Sequence, residues 1–340
     1  MKKVWETAFV YIGLVIGAGF ASGREILEYF NFSSRSDFTG IILAAVFFAL
    51  IAYITMHLTN IYGVGNLDGF TEKAAGRAAG IIKIFMLLYM FCGFFIMLSG
   101  SGALFSKTFS INSKWGIFLL AFVCFVIFSF DIKGLVVMNT VMVPLMIVGM
   151  AYLCISSSLC GAVSTLSGFN RLRANPIAAA LCYTGYNTIT AGSVLVPVSA
   201  GTDKKTLAKA SVISGAVLGL LIYTVWSTLN IYFESAEYSE MPLLDLAAAS
   251  GKIYEIIYTA VLFMALCTTA VSHGYGILSK FRLEKTSDRV LASAVLCLTA
   301  APLARIGFSQ LIANIYSIFG FGGFIWLVLL LYAYISADKS

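Results

Sequence analysis

The 340 residues are 60% hydrophobic and 11% charged, with a formal net charge of +6. Soluble domains carry about 25% charged residues, so no water-soluble core absorbs this apolar excess. The basic residues are scattered through short loops and form no stripe, which points to membrane topology and away from a nucleic-acid partner.

Apolar runs of roughly 17 to 25 residues recur along the chain, each long enough to cross about 30 Å of hydrocarbon at 1.5 Å per residue. Lipid offers backbone groups no partner, and a barrel would show short alternating segments, so the runs are helices. The expected fold is an all-α membrane protein with about ten transmembrane helices. Met1-Lys2-Lys3 resembles the start of a signal peptide, but the apolar segment behind it lacks a small-residue cleavage site and reads as a retained first span. The expected spans are 4–31, 38–60, 80–106, 115–130, 134–156, 176–198, 207–233, 252–279, 290–304 and 308–335. The seven cysteines lie mostly within these runs without metal-ligand spacing and count as small apolar residues.

With the N-terminus inside, the outer segments keep Arg24, Arg35, Lys107, Lys114, Arg171, Arg173, Lys252 and Arg305, and the inner segments hold the other basic residues. That bias favours cytoplasmic N- and C-termini. Loop lengths then repeat in order: the second connection of each half is long (61–79 and 234–251) and the fourth very short. Two five-helix units are expected, residues 1–156 and 176–335, with a linker at 157–175 and a cytoplasmic tail at 336–340. Five is odd, so the second unit is inverted, and such repeats place a solute near the midplane where the first helix of each unit is interrupted.

The first span contains Gly13, Gly17, Gly19, Ser22 and Gly23 just before Arg24 and Glu25. Each glycine weakens a helix by about 1 kcal/mol, so a break is cheap there. Freed N–H groups suit an anion and freed carbonyls a cation; the competing reading is close helix packing through small residues. The sixth span carries Tyr183, Thr184, Gly185, Tyr186, Asn187 and Thr188 at its middle. These side chains suit a substrate, or bonds between neighbouring helices. A matching interruption is expected there. In the eighth span Thr268, Thr269 and Ser272 bring three hydroxyls together, a neutral oxygen set that suits Na⁺, although membrane hydroxyls also bond their own preceding turn. Arg24 and Glu25 form a candidate outer gate. Glu234, Glu237, Glu240 and Asp245 lie in the long outer loop, where 241–251 suits a short covering helix. No Asp or Glu falls at the centre of a span, and His57 and His273 are expected nearer the cytoplasmic end.

This pattern resembles the amino-acid–polyamine–organocation superfamily and its relatives with the leucine-transporter (LeuT) type of five-plus-five inverted repeat. Within it, Gly17-Ala18-Gly19-Phe20-Ala21-Ser22-Gly23-Arg24-Glu25-Ile26 resembles the opening of the bacterial YkvI-like membrane proteins. The resemblance implies a bacterial cytoplasmic membrane, and a Na⁺ site made by the carbonyls of Gly17 and Phe20 with Ala265, Thr268 and Thr269. It implies a substrate carboxylate on the amides of Ala18, Gly19, Ala21 and Ser22, with Tyr89 over the solute. Some proton-coupled members carry a mid-span lysine in the fifth span; here Lys133 lies at the inner edge of that span.

The expected function is Na⁺-coupled symport of an amino acid or related small zwitterion, with proton coupling and a non-transporting receptor as alternatives. The lipid bilayer and a small solute are the expected partners, and Na⁺ as coupling ion stands in place of a cofactor. No His-Glu-x-x-His, paired midplane carboxylates or Gly-x-Ser-x-Gly elbow points to an enzyme.

Overall fold

The computed structural model describes residues 1–30, 37–129, 131–160, 175–231, 239–281 and 285–337. Most of the expected linker, Arg35, Arg171, Arg173, Arg282, Glu234, Glu237 and the last three residues of the tail fall outside them. The described chain is all-helical: α1 (Lys2–Val15), α2 (Ala18–Ser22), α3 (Arg24–Tyr29), α4 (Asp37–Tyr62), α5 (Leu67–Ala75), α6 (Ala79–Phe109), α7 (Ser113–Phe128), α8 (Asp131–Cys160), α9 (Pro176–Ser199), α10 (Lys204–Ile231), α11 (Pro242–Ser250), α12 (Lys252–Leu278), α13 (Thr286–Leu303) and α14 (Phe308–Ala337).

Helix starts follow local chemistry. Asn66 caps α5 by accepting the Gly69 amide at 2.7 Å, and Asn175 caps α9 through the Ile177 amide at 2.9 Å, ahead of a proline at the first helical position. Asp203 accepts the Thr206 amide at 2.8 Å and caps α10.

Among the described residues, seven helices are long and apolar enough to cross a membrane by length and composition. The three other expected spans depart for separate reasons. The first is divided, so α1 has only 14 residues. α7 has 16 residues, about 24 Å of helix. α9 is long enough, but Tyr183 to Thr190 make its middle polar.

The first span breaks twice. α1 ends at Ile16 (φ −76°, ψ 73°), Gly17 is extended, and Gly23 adopts a left-handed φ of 83° between α2 and α3. A Cβ on Gly23 would meet Leu229 and Leu243 at 3.1 Å, so both conformation and space select glycine there. The expected interruption of the sixth span is absent: α9 is continuous from Pro176 to Ser199. Its polar groups turn back on their own helix. Thr184 donates to the Ala180 carbonyl (2.7 Å), Asn187 to Tyr183 (2.9 Å) and Thr188 to Thr184 (2.7 Å), so polarity here leaves the helix intact.

The helices form two groups. In one, α4 packs on α9 and α10, and α1 packs on the same pair; in the other, α6, α7, α12 and α13 pack mutually. α8 and α14 contact both groups. α2 lies against α12 and α11, which puts the divided first helix between the groups.

Candidate substrate and ion site

At the inner break, α1 ends with carbonyls that no helix turn follows. Gly13, Leu14 and Ile16 supply the oxygens that a helix C-terminus leaves without an intrahelical partner. The two carbonyls expected as ligands are engaged differently: Gly17 O accepts the Ala21 amide (2.8 Å) and Phe20 O the Gly23 amide (2.9 Å), because residues 18–22 re-form a turn. The free oxygen set therefore moves one turn toward the start of α1.

Facing this end is α12. A Cβ on Gly17 would sit 2.9 Å from Thr269 Oγ1, so only glycine leaves the threonine hydroxyl in contact with the backbone of the break. Thr269 Oγ1 is buried and has no hydrogen-bond partner among the described residues, whereas Thr268 donates to the Ala265 carbonyl at 3.0 Å. An orphaned buried hydroxyl costs about 1 to 3 kcal/mol. The Ile16 carbonyl belongs to the peptide bonded to Gly17, the residue that faces that hydroxyl. The residues present thus fit a small hard cation, with neutral oxygens only.

Glu25 departs from the expected outer gate. Its neighbour Arg24 extends to the Ser239 carbonyl (3.3 Å), but Glu25 is 3% exposed and folds inward, its Oε1 lying where a Cβ of Gly19 would stand. A carboxylate therefore does lie inside the first span, because the left-handed turn at Gly23 aims α3 back over α2. Ala18, Gly19, Ala21 and Ser22 are all buried, and Ser22 donates to the Gly19 carbonyl at 3.0 Å. Tyr258 on α12 donates to the Ala21 carbonyl at 2.6 Å and ties the short helix down.

Aromatic rings cluster where α3 meets α9. Tyr29 stacks on Tyr186 (5.5 Å, 16°) and lies 5.2 Å from Tyr183, which also meets Phe30 and Phe48. Tyr89 on α6 is close enough to Glu25 to interact electrostatically, and its hydroxyl accepts from Thr190 at 3.0 Å. Thr190 also lies 3.4 Å from His273 Nε2, and His273 Nδ1 lies 2.8 Å from the Thr269 carbonyl. His273 is thus buried between α6, α9 and α12, and polar contacts run from Tyr89 through Thr190 and His273 to the Thr269 carbonyl. His57 instead stacks on Tyr53 at 5.4 Å.

Of the other expected substrate residues, Thr184, Asn187 and Thr188 spend their donors within α9, as above. Gly185 serves close packing, since a Cβ there would meet Gly323 C at 2.7 Å. The sequence reading missed Tyr29, Thr190 and Tyr258. Only Tyr29 carried a legible signal, its four-residue spacing from Glu25, which puts both on one helix face.

Polar contacts join elements at either end of the helices. On the side of Arg24, a cavity of about 600 Å³ is lined by Lys107, Ser239, Glu240, Met241 and Asp245, and Lys107 pairs with Asp245 at 2.5 Å. On the opposite side Lys280 of α12 pairs with Asp68 of α5 at 2.6 Å, and Asn60 donates to the Thr202 carbonyl at 2.7 Å.

An all-helical membrane chain divided between two helix groups, with a broken first helix between them, has the LeuT-type fold of known symporters. It superposes on a Na⁺-coupled sialic acid symporter, described in a substrate-bound outward-open state, with a TM-score of 0.68 and 12% identity, over 94% of this chain and 77% of the other. MhsT in complex with L-phenylalanine gives 0.68 at 16% identity (98% and 87%), and Mhp1, a nucleobase-cation-symport-1 family transporter, gives 0.61 at 14% (93% and 77%). By sequence the chain is similar to two Bacillus subtilis (strain 168) proteins: the uncharacterized membrane protein YkvI, 26% identical over 319 residues (93% of this chain, 92% of that one), and the uncharacterized protein YyaD, 28% identical over 333 residues (96% of each). No protein-family profile matches it.

Proposed function

We propose that this protein is a secondary active transporter of a small polar solute, an amino acid or related zwitterion, driven by Na⁺ through alternating access. The observation that carries the reading is the juxtaposition of the α1 end with the orphaned Thr269 hydroxyl. The cation would lie between the Gly13 and Ile16 carbonyls and Ala265, Thr268 and Thr269, contributing positive charge that joins the two helix groups. The solute would lie beside it, between α2, Tyr89 and the Tyr183–Tyr186 face of α9. Binding of Na⁺ would favour one orientation of the α1–α4–α9–α10 group against the α6–α7–α12–α13 group, and joint occupancy would permit the exchange of latches.

The pairing of elements supports an inverted repeat. α1 packs on α9, α4 on α10, α6 on α12 and α7 on α13, so four elements of each proposed set of five meet their counterparts. Of the structural neighbours named above, one is described as a Na⁺-coupled symporter and one as a nucleobase-cation-symport-1 family transporter, and their fold is shared. A second reading, proton coupling, draws on the Tyr89–Thr190–His273 chain and the buried Glu25. A thermal-shift screen of amino acids in Na⁺ and in K⁺ distinguishes them: stabilisation that requires Na⁺ supports sodium coupling, and stabilisation that ignores Na⁺ but follows pH supports the proton.

A further inference from the structure

Asn139 of α8 takes no part in the site described above, yet it lies against the end of α1. Its side chain is fully buried, and neither Oδ1 nor Nδ2 has a hydrogen-bond partner among the described residues. Close packing sets its place. A Cβ on Gly13 would meet Val143 Cγ2 at 2.5 Å and Asn139 Oδ1 at 2.7 Å, so the bare Cα of Gly13 is what lets the amide approach the helix backbone. Leucine has the same branching as asparagine and leaves no polar atom stranded, so packing by itself does not call for an amide. The contact falls where α1 loses its hydrogen-bond ladder. In an unbroken helix the Gly17 amide would donate to the Gly13 carbonyl; here it donates to Val15 at 2.8 Å, and the Gly13 carbonyl is without its helical partner. The next glycine, Gly17, faces the orphaned Thr269 hydroxyl of α12. α8 packs on both α1 and α12. Two buried oxygens without partners, from two helices that pack together, thus meet two glycines of one helix end. Both are neutral oxygens of the kind a hard cation takes.

We infer that Asn139 supplies a ligand oxygen to the cation held at the end of α1, so that the ion joins three helices, α1, α8 and α12. This rests on the reading of that helix end as the cation site. The amide turns Oδ1 to the ion, and Nδ2 keeps its donors for carbonyls of the same end that the ion leaves over. Because α8 contacts both helix groups, the ion then links them through a third element as well as directly. The added oxygen also sets selectivity, which depends on the number of coordinating oxygens. A larger ion uses more ligands, so the oxygen from α8 favours Na⁺ over Li⁺.

The test uses the full-length protein in detergent, with melting temperature followed through titrations of NaCl and of LiCl against KCl at constant ionic strength. Parent, Asn139→Leu, Asn139→Asp and Thr269→Val are compared at pH 8. Asn139→Leu should raise the half-saturating Na⁺ concentration by about tenfold, shift the preference toward Li⁺, and melt no lower than the parent in K⁺ alone. Asn139→Asp keeps an oxygen in place and should respond to Na⁺ at least as well as the parent. If Asn139→Leu does not fold, Asn139→Ala is read in the same way. An Asn139→Leu protein with unchanged Na⁺ midpoint and unchanged Na⁺/Li⁺ preference, beside a Thr269→Val protein that has lost its response, overturns the inference and leaves the cation site standing. So does a variant that melts lower in every salt while its midpoint stays put, which would make the amide a packing group only. Loss of the Na⁺ response in Asn139→Leu with Thr269→Val unaffected supports the inference and removes the threonine from the site. A parent that Na⁺ stabilises no more than K⁺ does overturns both the inference and the reading on which it rests.

Discussion

Replacing Thr269 with valine removes one hydroxyl and keeps the shape of the side chain. In the structure that oxygen is buried, lacks a partner and faces Gly17 across the break. Without a cation, an unsatisfied buried hydroxyl costs about 1 to 3 kcal/mol, and a methyl group in its place relieves much of it. Thr269→Val should therefore be about 1 kcal/mol more stable than the parent in K⁺, raising the melting temperature by about 2 °C. In Na⁺ the order should reverse. A cation at about one hundred times its Kd stabilises the parent by about 2.7 kcal/mol, and a variant that has lost a ligand forgoes most of this. The assay is thermal unfolding of both proteins across a Na⁺ titration at constant ionic strength. A hydroxyl with a purely structural role gives the opposite pattern, a variant that is less stable in K⁺ and equally stabilised by Na⁺; that outcome would remove Thr269 as a cation ligand.

Gly185→Ala should destabilise the fold by about 1 to 3 kcal/mol or prevent expression, because its Cβ would meet Gly323 C at 2.7 Å and Phe324 N at 2.9 Å, backbone atoms that cannot rotate away. Melting of the purified variant checks it, and an unchanged melting temperature contradicts the close α9–α14 crossing. Lys280→Ala should release the Asp68 latch, whose lysine is mostly buried, and raise maleimide labelling of Thr71→Cys severalfold in a cysteine-free background. Labelling that does not respond would remove the pair from the gating scheme. The Thr206 amide holds the Asp203 carboxyl below the usual carboxylate range. A lowered folded-state value contributes stability above the unfolded value that is lost as pH falls through the lowered one. The melting-temperature deficit of Asp203→Ala should accordingly be present at neutral pH and vanish in acid, which a melting series over pH reads directly.

Much of the scaffold was legible because membrane physics writes it plainly. Apolar length located nearly every helix boundary within a few residues, and Pro242 to Ser250 forms the short helix that its composition suggested. The break at Gly17 was equally readable, since clustered glycines make helix interruption cheap. Three features were not. Polar residues in the middle of α9 looked like a second break, but hydroxyls and amides can satisfy themselves on the preceding turn, as Thr184, Asn187 and Thr188 do. The carbonyls at Gly17 and Phe20 looked free only until residues 18–22 re-formed a turn and engaged them. Glu25 was expected at an outer gate beside Arg24, whereas the left-handed turn at Gly23 redirects the chain and carries its side chain inward against Gly19. Each of these depends on how a break is repaired locally, which residue type alone does not specify.

In the proposed cycle a Na⁺ gradient drives solute movement through the break between α1 and α2. It is tested most directly by uptake of a labelled amino-acid mixture into proteoliposomes under an imposed inward Na⁺ gradient, with and without Thr268→Val and Thr269→Val together. The parent protein should show accumulation that collapses when the Na⁺ gradient is dissipated and is lost in the double variant. Accumulation that persists without Na⁺ and follows a pH gradient, or that survives intact in the double variant, would contradict the proposed cycle.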